Sequence, residues 1–247
     1  EIEQDYVTLP LPNPTLRAIR VIETGPVRAS VEVEYSFGAS SLRQRISLTG
    51  DSPLLHFETT VDWHERHTLL KVAFPIDVNA ARATYEIPFG AVERPTHRNT
   101  SWDAARFEVP ALRWADLSEA NYGAALINNC KYGYDTLDNV LRLSLLRAPT
   151  MPDPEADQGV HHFAYGLLPH SGDWRHGVVA AAAAFNHPAH IMRGVSAPEL
   201  NTRPIVTCRQ NGSAVVDSIK AAEDGNGIIV RIYEAHGIRQ EVTLTLD

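Results

Sequence analysis

Between residues 31 and 63, three consecutive runs alternate apolar and polar side chains with a period of two. In the first, Val31, Val33, Tyr35 and Phe37 alternate with Glu32, Glu34 and Ser36. In the second, Leu42, Ile46 and Leu48 oppose Arg43, Arg45 and Ser47; in the third, Leu55, Phe57, Thr59, Val61 and Trp63 oppose His56, Glu58, Thr60 and Asp62. Successive side chains of an extended strand point to opposite faces, so each run offers one face to a core and the other to water. The connections at 38–40 and 49–53 carry Gly, Ser, Asp and Pro, which supply turn chemistry. The pattern predicts an antiparallel meander with one face covered by a second layer.

Later runs are shorter. Those at 69–78, 83–90 and 106–117 each contain proline, which favours edges, bulges or strand starts over central positions. The segment 91–104 is polar and turn-prone and reads as a long loop. Two strands, 122–128 and 139–147, flank the polar stretch INNCKYGYD at 127–135, and a second polar loop fills 148–162. One helix is expected over 173–187, where five consecutive alanines favour it and Asp173 is placed to cap its start. Residues 186–204 read as a linker, and the tail as a hairpin around Gly225 and Gly227 with a third strand after it. The fold class is all-β, with a large unit over 1–200 and the beginning of a small one over 201–247.

The 44% hydrophobic content supports a real core, and the net charge of −8 argues against nucleic-acid binding, which needs an excess of Lys and Arg. No window approaches the roughly 18 consecutive apolar residues of a membrane span. Two cysteines are too few for a disulfide framework or a Cys-based zinc site and read as reduced thiols of a cytoplasmic protein. Both ends of the chain read as cuts in a longer one.

Catalytic patterns are weak. His64 and His67 lie three residues apart at a strand end, whereas the helical zinc motif needs a spacing of four. His161 and His162 point to opposite faces of a strand. Loop acids such as Asp103, Asp135, Asp153, Glu155, Asp157 and Asp173 are numerous, but spacing brings no two of them together as a glycosidase pair. The residues alone describe an all-β domain whose polar loops suit a polar ligand.

Several long segments, taken together and in order, carry more information: DWHERHTLLKVAFPIDV, ATYEIPFGAVERPTHRNTSWD, RWADLSE, NNCKYGYD and LLRAPTMPDPEADQGVHHFAYGLLPHSGDW. They resemble the C-terminal region of the family 38 glycoside hydrolases, the α-mannosidases, in their bacterial, vacuolar and cytosolic branch. VVDSIKAAEDGNGIIVRIYEAHG is similar to the start of that family's last β domain. The resemblance implies a large antiparallel supersandwich of galactose-mutarotase type with one short helix, followed by part of a small β-sandwich.

It also implies that the full-length parent is a retaining, metal-dependent exo-α-mannosidase, with nucleophile, acid/base carboxylate and divalent metal, usually zinc, on an N-terminal barrel. This chain would hold no cofactor and no catalytic residue, and would be inactive alone. Its partners would be its own N-terminal catalytic and helical domains and a mannose-containing oligosaccharide, with a homo-oligomer as a further option. Loops 94–103, 128–135 and 147–162 would close over one side of the barrel's site. The substrate-side candidates are Asn129, Lys131, Tyr132, Tyr134, Arg147, Asp157 and His161, each weighed against loop packing or a strand-end ion pair. An autonomous carbohydrate-binding module, an oligomerisation module and a mutarotase-like epimerase stand as alternatives.

Overall fold

The computed structural model describes residues 10–190, 193–194, 206–209 and 213–246. In chain order the elements begin with β1 (Thr15–Thr24), β2 (Arg28–Phe37), β3 (Ser40–Thr49), β4 (Leu55–Trp63), β5 (Leu70–Pro75), β6 (Arg82–Ile87) and β7 (Gly90–Pro95). They continue through α1 (Ser101–Ala105), β8 (Val109–Pro110), β9 (Trp114–Ser118), β10 (Tyr122–Asn128), β11 (Gly133–Leu137), β12 (Val140–Leu146) and β13 (Gly159–Ser171). The rest are α2 (Val178–Asn186), β14 (Val206–Arg209), β15 (Ala214–Ala221), β16 (Ile228–Glu234) and β17 (Thr243–Leu246). All strand pairings are antiparallel among the described residues.

The three alternating runs become β2, β3 and β4, with Leu42 opposite Val61 and Ile46 opposite Phe57. They belong to a nine-stranded sheet ordered β1-β2-β3-β4-β13-β10-β9-β6-β7. A four-stranded sheet, β5-β12-β11-β8, covers its inner face. Phe57, Val61, Trp63, Leu126 and Phe163 of the large sheet pack there with Tyr134, Leu141 and Leu143 of the small one. Leu48, expected on that face, lies outside this cluster and is 46% exposed.

The opposite face of the large sheet is covered too. Trp114, Ala125 and Ile127 pack under Trp174, Val178 and Ala182, with Ala235 and Tyr233 from the C-terminal hairpin against the same cluster. The two-sided cover explains why β10, YGAALIN, is a continuous small-apolar run rather than an alternating one. At Gly123 an added Cβ would lie 2.2 Å from the Ser118 Cβ. The His170 ring uses the space this glycine leaves, its Cε1 3.0 Å from that Cβ position, and its Nε2 lies 2.6 Å from Asp116, joining β9 to β13 over β10.

Three expectations need correction. Residues 91–95, read as loop, belong to β7; its polar character is tolerated because β7 is an edge strand. A second helix, α1, follows it, capped by Thr100, whose hydroxyl accepts from the Asp103 N–H at 3.1 Å and donates to the Asp103 carboxylate at 2.8 Å. The expected helix begins at Val178, behind Gly177 at φ 99°, and Asp173 does not cap it. Asp173 instead closes the preceding turn by accepting from the Arg175 N–H. The hairpin around 222–227 forms as expected, whereas β17 pairs with β14 in a separate two-stranded sheet. The boundary at 200/201 and most of the linker lie outside the described residues.

Candidate functional site

Strand direction gathers two of the three polar loops at one end of the sandwich. β4, β10 and β12 finish there, and β5, β11 and β13 begin there, with Trp63 opposite Gly159 and Leu146 opposite Leu70. The loops at 129–132 and 147–158 therefore emerge side by side, linked along β13. Asn129 meets Ala164, the Lys131 ammonium lies 4.3 Å over the Phe163 ring, and the His161 imidazole contacts the Asp157 carbonyl at 2.8 Å. The third loop, 94–103, sits at the opposite end. It leaves β7 beside the start of β6 and meets the far end of β11, where the Asp138 N–H donates to the Thr96 carbonyl. It cannot close over the same surface as the other two.

The first loop is built around Asn128, which is 2% exposed. Its amide nitrogen donates to the Leu112 carbonyl at 3.0 Å and the Tyr134 hydroxyl at 2.5 Å. Its amide oxygen accepts from the Cys130 and Lys131 N–H groups at 2.9 and 2.6 Å. All the hydrogen-bonding capacity of that side chain is used in shaping the turn. Tyr134 is fully buried, with its ring edge-on to Tyr85 and its hydroxyl pKa pushed up by desolvation. Tyr134 is a core residue, and its ring has no face free to stack on a sugar. Asn129 uses its amide oxygen on the Ala164 N–H. Tyr132 is 62% exposed.

The second loop depends on Asp157, which stands at φ 63°. Its carboxylate accepts from the backbone N–H groups of Arg147 and Ala148 at 3.2 and 2.9 Å. Arg66 clips the loop from the β4 side through Glu155 at 2.5 Å, and Gln158 donates to the Glu65 carbonyl at 2.7 Å. The Arg147 side chain is exposed and has no ion pair among the described residues. Asp157 thus holds the backbone of Arg147 and leaves its guanidinium available.

Next to the first loop lies a cavity of about 350 Å³ that sequence reasoning did not anticipate. The 87–90 turn, the 112–113 segment, the end of α2 and the β15–β16 hairpin close it. Its floor is the Glu86–Arg113 pair. Glu86 is 4% exposed, lies 2.5 Å from the guanidinium and accepts the Arg113 N–H at 2.6 Å. This hydrogen-bonded pairing raises the Arg113 pKa. No spacing rule joins Glu86, Asn186 and Tyr233; only the topology brings them together. The strongest available signal was Pro88-Phe89-Gly90, a turn triplet carrying an aromatic residue.

Among the described residues, no group of three or more His, Cys, Asp or Glu side chains is placed to hold a metal ion. No helix is long and apolar enough to cross a membrane among those residues.

The geometry defines a two-layer antiparallel β unit with a polar, loop-bearing end. Residues 1–155 match the model of the glycosyl hydrolases family 38 C-terminal domain, and residues 213–247 that of the family 38 C-terminal beta sandwich domain. The chain belongs to glycosyl hydrolase family 38. It is 42% identical to alpha-mannosidase G of Dictyostelium discoideum, over 88% of this chain and 21% of that protein. It is 45% identical to human alpha-mannosidase 2C1, over 84% and 20%, and 37% identical to the alpha-mannosidase of Saccharomyces cerevisiae, over 94% and 23%. The chain thus spans about a fifth of the length of these relatives. An alpha-mannosidase from Enterococcus faecalis shares the fold, with a TM-score of 0.81 and 19% identity over 95% of this chain and 31% of that one.

Proposed function

We propose that this chain is the non-catalytic β region of an α-mannosidase, hydrolysing terminal α-mannose only as part of the longer enzyme. The observation that carries the reading is that both family models it matches are C-terminal ones, in relatives named α-mannosidases of which it covers about a fifth. The nucleophile, acid/base group and divalent metal, zinc by family resemblance, then belong to an upstream barrel. The parent acts in the cytoplasm, as the absence of a cysteine framework first suggested.

Two surfaces are suited to that role. The edge strand β1 exposes Leu16, Ile19 and Val21, the last at 66%, an apolar face fit to brace neighbouring domains. The end carrying Arg147 offers an exposed cation to the hydroxyls or carboxylates of a sugar site, for which a guanidinium fork is well shaped. The test is hydrolysis of an aryl α-mannoside. The 247-residue chain should give no turnover above blank with or without zinc, while the complete enzyme should turn over; zinc-dependent turnover by the chain alone would overturn the reading.

A further inference from the structure

The cavity beside the 128–132 loop has the composition of a ligand site, and its volume falls in the range of roughly 300–1,000 Å³ typical of small-molecule pockets. Its charges balance. Glu86 and Arg113 neutralise each other, and the other two charged residues of the lining, Lys131 and Asp217, are opposite in sign. A strongly anionic or cationic ligand therefore finds no net attraction.

Unspent hydrogen-bonding groups line it. Asn186 uses its amide nitrogen on the Asn128 and Ala182 carbonyls, and no bond engages its amide oxygen among the described residues. Asn129 is the reverse case, with its oxygen engaged and its amide nitrogen available. Among the described residues, the Asp217 carboxylate has only a 3.6 Å contact to Arg231.

Aromatic rings complete the rim. Tyr132 is 62% exposed, and Phe89 is 56% exposed with its ring 5.5 Å from that of Tyr233. Phe89 stands at φ 58°, a backbone position usually given to glycine or asparagine. A bulky residue held in that conformation marks a side chain worth presenting despite the strain.

Neutral overall charge, amide and carboxylate groups for hydroxyls, and aromatic faces for C–H surfaces together match a pyranose. We propose that this cavity is a saccharide-binding subsite, separate from the Arg147 end, which holds one sugar unit of an oligosaccharide. The assignment of mannose as that sugar rests on the function proposed above; the saccharide class rests on the cavity itself.

The test is a two-dimensional amide NMR titration of the 247-residue chain with an α-linked mannobiose and, separately, with cellobiose. Saturable shifts at residues 129–132, Asn186 and Asp217 are expected with mannobiose. Tyr132→Ala should weaken that binding about tenfold, the scale of one lost aromatic contact, with an unchanged thermal melt. Asp217→Asn should weaken it about threefold, the scale of one weakened hydrogen bond. Saturable binding of cellobiose with none of mannobiose supports the saccharide subsite and overturns the mannose assignment. No saturable shift with either sugar to tens of millimolar, or shifts confined to 147–162, overturns the subsite. None of these outcomes bears on hydrolysis by the complete enzyme, so the two readings fail separately.

Discussion

The loops at 128–134 and 147–158 are both polar and are opposite in construction. In the first, a polar side chain is almost fully buried. Asn128 ties Leu112, Tyr134 and two backbone N–H groups together beneath the surface. In the second, a half-exposed Asp157 holds only backbone, and the charged group beside it, Arg147, is left unpaired among the described residues. Polar residues between strands therefore serve two ends, satisfying the fold or facing a partner, and the hydrogen-bond partners tell which.

The sharpest way to break the comparison is Asn128→Ala. It strips hydrogen bonds from a buried hydroxyl, a buried carbonyl and two N–H groups, and each group left unpaired in the interior costs about 1–3 kcal/mol. A loss of about 3 kcal/mol or more is expected by chemical denaturation. A loss below about 1 kcal/mol would mean that the first loop is no more anchored than the second.

A smaller effect comes from the other buried polar clasp, His170 with Asp116. Burial lowers the His170 pKa, but the hydrogen bond and charge of Asp116 outweigh it, and the net shift is upward. A raised folded-state pKa gives stability that is fully present below the unfolded value of about 6.5 and is lost as pH rises through the folded value. The thermal midpoint should therefore drift down as pH rises above about 6.5, and Asp116→Asn should flatten that drift.

Asp157→Ala should cost about 2 kcal/mol, because it removes two backbone caps and leaves a Cβ at positive φ. Asp157→Gly should cost about 1 kcal/mol, since glycine relieves the backbone. If both cost the same, the strain contributes nothing. At the bottom of the scale, Tyr132→Ala should change stability by less than about 0.5 kcal/mol, as an exposed side chain without side-chain partners among the described residues does.

The fold was legible where periodicity met a one-sided environment. β2, β3 and β4 alternate because one face meets the small sheet. It was illegible where position in the sheet overrides pattern. The polar segment 90–95 is a strand because an edge tolerates it, and helix α2 starts late because the turn before it claims Asp173. In the site, residue type revealed polar loops but not their allocation. Tyr134 and Tyr132 are indistinguishable as letters, yet β11 begins at Gly133, so Tyr134 lies within the strand with its ring in the core while Tyr132 precedes it and stays on the rim. The separation of loop 94–103 from the other two follows only from strand order. So does the meeting of Glu86, Asn186 and Tyr233 around one cavity.

The most direct measurement of the central claim is the kcat/KM of the complete enzyme on an aryl α-mannoside, wild type against Arg147→Ala. If the 147–158 loop serves the sugar site, kcat/KM should fall at least about tenfold, the cost of one charge-assisted hydrogen bond of about 1.5–3 kcal/mol, with no change in thermal midpoint. An unchanged kcat/KM would contradict the account and leave that loop a purely structural connection.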